Sequence, residues 1–177
     1  MAYFVTGATG FIGRHLVERL LEREGTIHVL VRAGSTGRLD ALIHRWDGSE
    51  RIVPVVGDLG KPLLGLDPEQ AAELRGTVDH FFHLAAVYDM TASEEQDRLA
   101  NVEGTRHAVA LANVVEAGCF HHASSIAVAG AYRGTFREDM FDEGQPLEHP
   151  YHRTKFEAER IAREETTVPW RVYRPSV

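Results

Sequence analysis

Short runs of β-branched and aromatic residues alternate along the chain with longer segments of helical period. This alternation predicts an α/β protein built on a parallel sheet. The predicted strands are Tyr3–Thr6, Ile27–Val31, Ile52–Val56, His80–Leu84, Phe120–Ser124 and Arg171–Tyr173. The predicted helices are Ile12–Arg23, Gly37–Arg45, Pro68–Leu74, Glu94–Glu116 and Tyr151–Glu165. In the first helix Ile12, Leu16, Leu20 and Leu21 share one side, leaving Arg14, Glu18 and Arg19 to solvent. In the last, Phe156 and Ile161 stand among Lys155, Glu157, Glu159 and Arg160. Strands and helices in this order fit a doubly wound sheet of order 3-2-1-4-5-6. Right-handed crossovers then place every strand-to-helix loop along one edge, where ligands bind.

The chain has 177 residues, 44% hydrophobic and 25% charged, enough for one domain with a sizeable core. It carries neither an internal repeat nor a low-complexity linker. A net charge of -7 and a pI near 5.8 argue against a nucleic-acid or anionic-membrane surface, which needs clustered cations. A lone cysteine, Cys119, has no partner for an intramolecular disulfide and is expected as a buried thiol in a reducing compartment. There is no signal-peptide pattern, and no apolar run approaches the ~18 residues that cross a bilayer, so a soluble cytoplasmic protein is expected. The last residues, Arg174-Pro175-Ser176-Val177, directly follow the sixth strand. The expectation is therefore a fragment, or the ordered part, of a longer protein whose substrate-holding lobe lies elsewhere.

Thr6-Gly7-Ala8-Thr9-Gly10-Phe11-Ile12-Gly13 joins the first strand to the first helix. Glycines let the backbone approach a pyrophosphate, and the helix N-terminus offers it free N–H groups. Gly7, Thr9, Gly10, Phe11, Ile12 and Gly13 are the candidate phosphate-binding residues. NAD enzymes usually carry an acid about 20 residues further on, for the ribose 2′-OH. This chain has Val31-Arg32-Ala33-Gly34-Ser35 instead. Arg32, helped by Arg38, would grip a 2′-phosphate, which points to NADP(H); the alternative is a solvated surface arginine. After the third strand, Asp58 would accept from the adenine amino group and Leu59 would pack on the ring, unless Asp58 is simply a turn residue. After the fourth, Leu84, Ala85 and Ala86 are small enough to let backbone lie against a ribose. His83 reads as a packed, hydrogen-bonded histidine, and His121 and His122 point to opposite faces of a strand, so no metal site is expected.

Tyr151-His152-Arg153-Thr154-Lys155 opens a predicted helix, with Tyr151 and Lys155 on one face. A neighbouring ammonium favours phenolate and makes proton exchange at Tyr151 feasible near neutrality. Ser124-Ser125 at the end of the fifth strand places a hydroxyl where it can hydrogen-bond a reacting oxygen.

Together these features resemble the extended short-chain dehydrogenase/reductases, a Rossmann-fold family of sugar epimerases, dehydratases and acyl-thioester reductases. The motifs carrying the resemblance are the glycine turn, Gly57-Asp58-Leu59, His83-Leu84-Ala85-Ala86, Asn101-Val102-Glu103-Gly104-Thr105, Ser124-Ser125, Tyr151 to Lys155 and Arg174-Pro175. The resemblance implies that Ser125, Tyr151, Lys155 and Asn101 are catalytic, Ser125 rather than Ser124 because it lies five residues before Gly130. It implies that Tyr151 and Lys155 also contact the cofactor, and that Arg174-Pro175 leads into a substrate lobe. A homodimer would pair through the helices at Glu94–Glu116 and Tyr151–Glu165.

Phe81 to Met90, Phe136 to Phe141 and His149-Pro150-Tyr151 are similar to the N-terminal reductase domain of bacterial alcohol-forming fatty acyl-CoA reductases. That narrower likeness implies NADPH-dependent reduction of acyl-CoA, or another acyl thioester or aldehyde, within a longer multidomain chain. The rival readings are a nucleotide-sugar epimerase or dehydratase, which Arg32 disfavours, and a non-catalytic NADP-binding regulator, which needs none of the triad.

Overall fold

The computed structural model describes residues 1–86 and 98–176. Six parallel strands form one sheet in the order β3-β2-β1-β4-β5-β6, the order expected from the sequence. They are β1 (Ala2–Thr6), β2 (Thr26–Val31), β3 (Ile52–Val56), β4 (His80–His83), β5 (Cys119–Ala123) and β6 (Trp170–Tyr173). The helices are α1 (Phe11–Leu21), α2 (Thr36–Ile43), α3 (Pro68–Leu74), α4 (Gly104–Val114) and α5 (Pro150–Glu164).

Most predicted boundaries move by one or two residues. The larger change is in the expected helix Glu94–Glu116. Its described part begins as a π-helical turn, Arg98–Glu103, and becomes α-helical only at Gly104. Residues 94–97 of that expected helix lie outside the described residues, as do Val87 to Met90 of the narrower motif.

Two cores hold the sheet. On one face Phe4, Phe81 and Phe120 run across β1, β4 and β5 with ring centroids 4.6 and 5.6 Å apart, beneath α3, α4 and α5. Each such ring is worth about 1.5–3 kcal/mol in transfer alone. On the other face Tyr3, Val5, Ile27, Val29 and Val31 pack under α1 and α2. The buried stripe of α1 is Gly13, Val17 and Leu20, whereas Ile12, expected inside, is 50% exposed on the first turn. The helix is rotated because Gly13, with no side chain, is the residue that must face the glycine turn. A Cβ on Gly13 would lie 2.1 Å from the Gly7 carbonyl oxygen. Gly7 itself has φ +73°, and a Cβ there would meet the Ala85 nitrogen at 2.6 Å. The glycine turn is thus wedged between the start of α1 and the end of β4. α3 starts from a full capping box, with Asp67 and Gln70 bonding each other's backbone N–H.

Candidate active site

At the C-terminal edge of the sheet, between the ends of β1, β2, β3 and β4, lies a cavity of about 470 Å³. The predicted Gly7, Thr9, Gly10, Arg32, Arg38, Asp58, Leu59, Leu84, Ala85 and Ala86 all line it. Leu30, Val31, Ser35, Gly57 and Gly60 join them without having been among the expected cofactor contacts. Phe11 and Ile12 stand exposed on the first turn of α1 and are not among the lining residues, and Gly13 is buried beneath the turn. Arg32 and Arg38 are both exposed, and among the described residues neither guanidinium has an ion-pair partner. Asp58 Oδ1 accepts the Gly60 N–H at 2.9 Å, the turn role, while the residue still faces the cavity.

The second cluster forms where β5 ends beside α5. Pro150 starts α5, and the His149 ring caps it by accepting the Tyr151 N–H at 3.1 Å. Lys155 follows Tyr151 by one turn. It is 3% exposed, and its Nζ donates to the Ala123 carbonyl at 2.8 Å, the last residue of β5. Burial lowers the Lys155 pKa to about 8, against the opposing pull of the Glu159 carboxylate. The two serines that follow Ala123 diverge. Ser124 donates to Glu159 Oε2 at 2.6 Å. Ser125 starts the short 3₁₀ turn Ile126–Ala129, its Oγ accepting the Ala127 N–H at 3.1 Å. Asn101, 2% exposed, lies in the π-helical turn that precedes α4.

Glu159 is the residue that sequence reasoning misplaced, since it stood there among the charged residues around Phe156 and Ile161. It is fully buried, and besides Ser124 it accepts from Arg174 Nη2 at 2.6 Å and Arg163 Nε at 2.9 Å. Burial pushes its carboxyl up, but hydrogen bonds from Arg174 and Ser124 outweigh that and hold it below the ordinary carboxylate value. Phe136 and Phe141 of the narrower motif cover this cluster, with Arg174 over the first ring at 5.4 Å and Arg163 over the second at 4.7 Å. The legible signal was spacing alone: Glu159 sits four residues after Lys155, on the same face.

The histidines divide as expected. His122 faces the α4 and α5 side, stacked on His83 at 5.7 Å, and among the described residues neither of its ring nitrogens has a hydrogen-bond partner. His121 faces the other side, between His80 Nδ1 at 3.0 Å and the Tyr173 hydroxyl at 2.9 Å. Cys119, expected buried, is only half-buried at the first position of β5. Burial moves its thiol pKa up.

Burial also lowers three imidazoles: His83 to about 3, His121 to about 4 and His122 well below its ordinary value. The unfolded chain takes up these protons near pH 6.5 and the folded chain only below those values, so across that window the unfolded state holds more protons. Stability is therefore fully present above about pH 6.5 and falls on acidification by roughly 1.4 kcal/mol per pH unit for each histidine concerned. Urea midpoints measured between pH 7.5 and 4.5 are expected to drop steeply below 6.5; a flat profile would contradict the burial of these rings as neutral species.

A parallel 3-2-1-4-5-6 sheet, a glycine turn leading into α1 and a cavity across the switch point define the nucleotide-binding fold of the extended short-chain dehydrogenase/reductases. Residues 5–177 match the NAD-binding family described as Male sterility protein, and the chain belongs to that family. Over 98% of its length it is 32% identical to part of a linear gramicidin synthase polypeptide of Brevibacillus parabrevis. It is also 32% identical, over 78% of its length, to the Drosophila melanogaster protein CG8306, named as a candidate fatty acyl-CoA reductase. The crystal structure of the terminal R domain from the myxalamid PKS-NRPS biosynthetic pathway superposes with a TM-score of 0.87 at 32% identity, covering 99% of this chain. The chain spans 4%, 30% and 48% of these three proteins respectively. Among the described residues no helix is long and apolar enough to cross a membrane.

Proposed function

We propose that this chain is the NADP(H)-binding part of a longer reductase that converts an acyl thioester, with fatty acyl-CoA as substrate class, to aldehyde and/or alcohol. The observation that carries the reading is the state of Lys155. A buried ammonium is tied to the last carbonyl of β5, two residues before Ser125 in the chain, and stands one helical turn from Tyr151. A surface pair would be solvated, and this lysine is not.

The cavity suits a nicotinamide dinucleotide. Gly7, Gly10 and Ala85 line it with little side chain, and Arg32 and Arg38 supply cations at its rim for a 2′-phosphate. NADPH bound there would supply hydride to a substrate carbonyl. Ser125 hydrogen-bonds the carbonyl oxygen as negative charge develops on it. For a thioester the tetrahedral product collapses to aldehyde and free thiol. For an aldehyde, Tyr151 hands its proton to the alkoxide. Lys155 has one N–H committed to Ala123; the others remain to hold a ribose hydroxyl and to favour the phenolate left behind. Asn101 positions the turn beside this site.

The test is direct. The full-length protein, mixed with NADPH and a long-chain acyl-CoA, is expected to oxidise the cofactor and release free thiol. Absence of oxidation with both acyl-CoA and long-chain aldehyde would overturn the assignment. The Arg32 reading has its own check by titration. NADPH should bind more tightly than NADH, and Arg32→Asp should narrow or reverse that preference by roughly 10–100-fold, the weight of one charged hydrogen-bonding group. Equal affinities in the unaltered protein would sink it.

A further inference from the structure

The end of β4 is tied to the turn bearing Asn101 by a continuous chain of side-chain hydrogen bonds. The Ala85 N–H donates to Thr6 Oγ1 at 3.2 Å, and Thr6 Oγ1 lies 2.9 Å from His83 Nδ1. On the other side of the ring, His83 Nε2 lies 3.1 Å from Thr105 Oγ1, which donates to the Asn101 carbonyl at 2.6 Å. Every proton in this chain is assigned by valence. A carbonyl only accepts, so the single hydroxyl proton of Thr105 goes to Asn101, and Thr105 must accept from Nε2–H. The ring is enclosed and 1% exposed, with the Lys155 cation nearby and the neutral His122 ring stacked on it, so it holds one proton and Nδ1 is bare. Thr6 then donates to Nδ1 and uses a lone pair for Ala85 N–H. All the bonds run in one direction, and a flip of the ring or of its tautomer would break several at once.

The two ends of the chain matter. Ala85 lines the cavity and presses on Gly7. Asn101 sits in a π-helical turn, a geometry less favourable than the α-helix and common at functional sites. A threonine bonding back to the carbonyl four residues earlier bends a helix at that point.

We propose that His83 is a positioning residue: locked as its neutral Nε2–H tautomer, it holds the Asn101 turn in register with the nucleotide-binding edge of the sheet. The functional meaning of that register rests on the dinucleotide reading above, whereas the tautomer and the mechanical link do not. His83 touches neither the cavity nor the reacting atoms in this scheme and acts through Thr6 and Thr105.

Nitrogen NMR of the imidazole rings, with hydrogen exchange at 101–105, tests the proposal. His83 is expected to show a protonated Nε2 and a bare Nδ1, unchanged from pH 8 to pH 5. An Nδ1–H tautomer, or an imidazolium at pH 5, would overturn it. Thr105→Val keeps the shape and removes one link. It should speed amide exchange at 101–105 about tenfold, as expected for one net hydrogen bond, and leave the strands unaffected. His83→Phe should do the same if it folds. Uniform acceleration across the sheet, or none at 101–105, would show a merely structural role. In the unaltered protein NADPH should slow exchange at 101–105, and Thr105→Val should retain NADPH binding but lose that slowing. Slowing that persists in Thr105→Val counts against the link. Failure of NADPH to bind the unaltered protein defeats the dinucleotide reading instead, and the ligand-free measurements still decide the proposal.

Discussion

Tyr151→Phe in the full-length enzyme is expected to lower acyl-thioester and aldehyde reduction by about 10²–10⁴-fold, the usual cost of losing a positioned acid. NADPH affinity should change little, because in the proposed scheme the phenol's part is proton transfer and the variant keeps the ring. In the proposed scheme Ser125→Ala removes a hydrogen bond to the same oxygen and should cost roughly 10²–10³-fold. The double variant should lose less than the product of the two single losses, since both groups act on one atom. Lys155→Ala should also weaken NADPH binding, a second effect absent from Tyr151→Phe. If instead the two residues had only a structural role, Tyr151→Phe would leave the rates unchanged and Lys155→Ala would act through stability alone, by losing the buried bond to Ala123. Steady-state rates for the set, beside cofactor titrations, distinguish the two cases. A Tyr151→Phe enzyme retaining most of its activity would leave this domain as a nucleotide-binding fold without the assigned chemistry.

The largest stability effect is expected at Glu159. Glu159→Ala leaves two arginines and Ser124 without their common acceptor in a covered cluster. Loss of one partner of a buried ion pair costs about 3–5 kcal/mol. For a chain of this size each kcal/mol corresponds to roughly 2–4 °C in Tm. Glu159→Gln keeps the shape and some hydrogen bonds and should fall between. The pH dependence has a definite sign. The folded pKa is depressed, so the carboxylate's contribution is complete above the ordinary carboxylate range and lost as pH falls below it. Wild type and variant should therefore converge in strong acid. A loss below about 1 kcal/mol at pH 7, measured by urea unfolding, would mean that the cluster behaves as exposed ion pairs do.

The strand order and the nucleotide cavity were legible because each rests on local chemistry. Strands repeat every two residues, helices every 3.6, and a glycine turn between them has few alternatives. Arg32, Asp58 and Ala85 could be assigned to one edge since topology alone brings the ends of parallel strands together. The rotation of α1 was not legible. Ile12 looks like a core residue by period, and only the 2.1 Å approach of Gly13 to the Gly7 carbonyl turns it to solvent. The start of α4 misled for a related reason, since its π-helical turn is tied through Thr105 to His83 of β4, a partner that no helical period records.

What the sequence by itself determined is the doubly wound fold, its family resemblance and the side chains gathered at its C-terminal edge. Those depend on near-neighbour patterns and on a topology with one favoured hand. Only the tertiary structure decided the protonation and partnership of the buried polar groups. Ser124 and Ser125 are indistinguishable in isolation, yet one is committed to Glu159 and the other starts a 3₁₀ turn two residues after the carbonyl that holds Lys155. Glu159 likewise reads as an ordinary polar residue until Ser124, 35 positions away, comes within hydrogen-bond reach. His83, expected as a packed, hydrogen-bonded histidine, acquires its particular partners 22 and 77 positions away only in the fold. The reason is physical. The cost of burying a charge or a ring nitrogen depends on which groups surround it in space, and the chain brings those groups together only when the sheet closes.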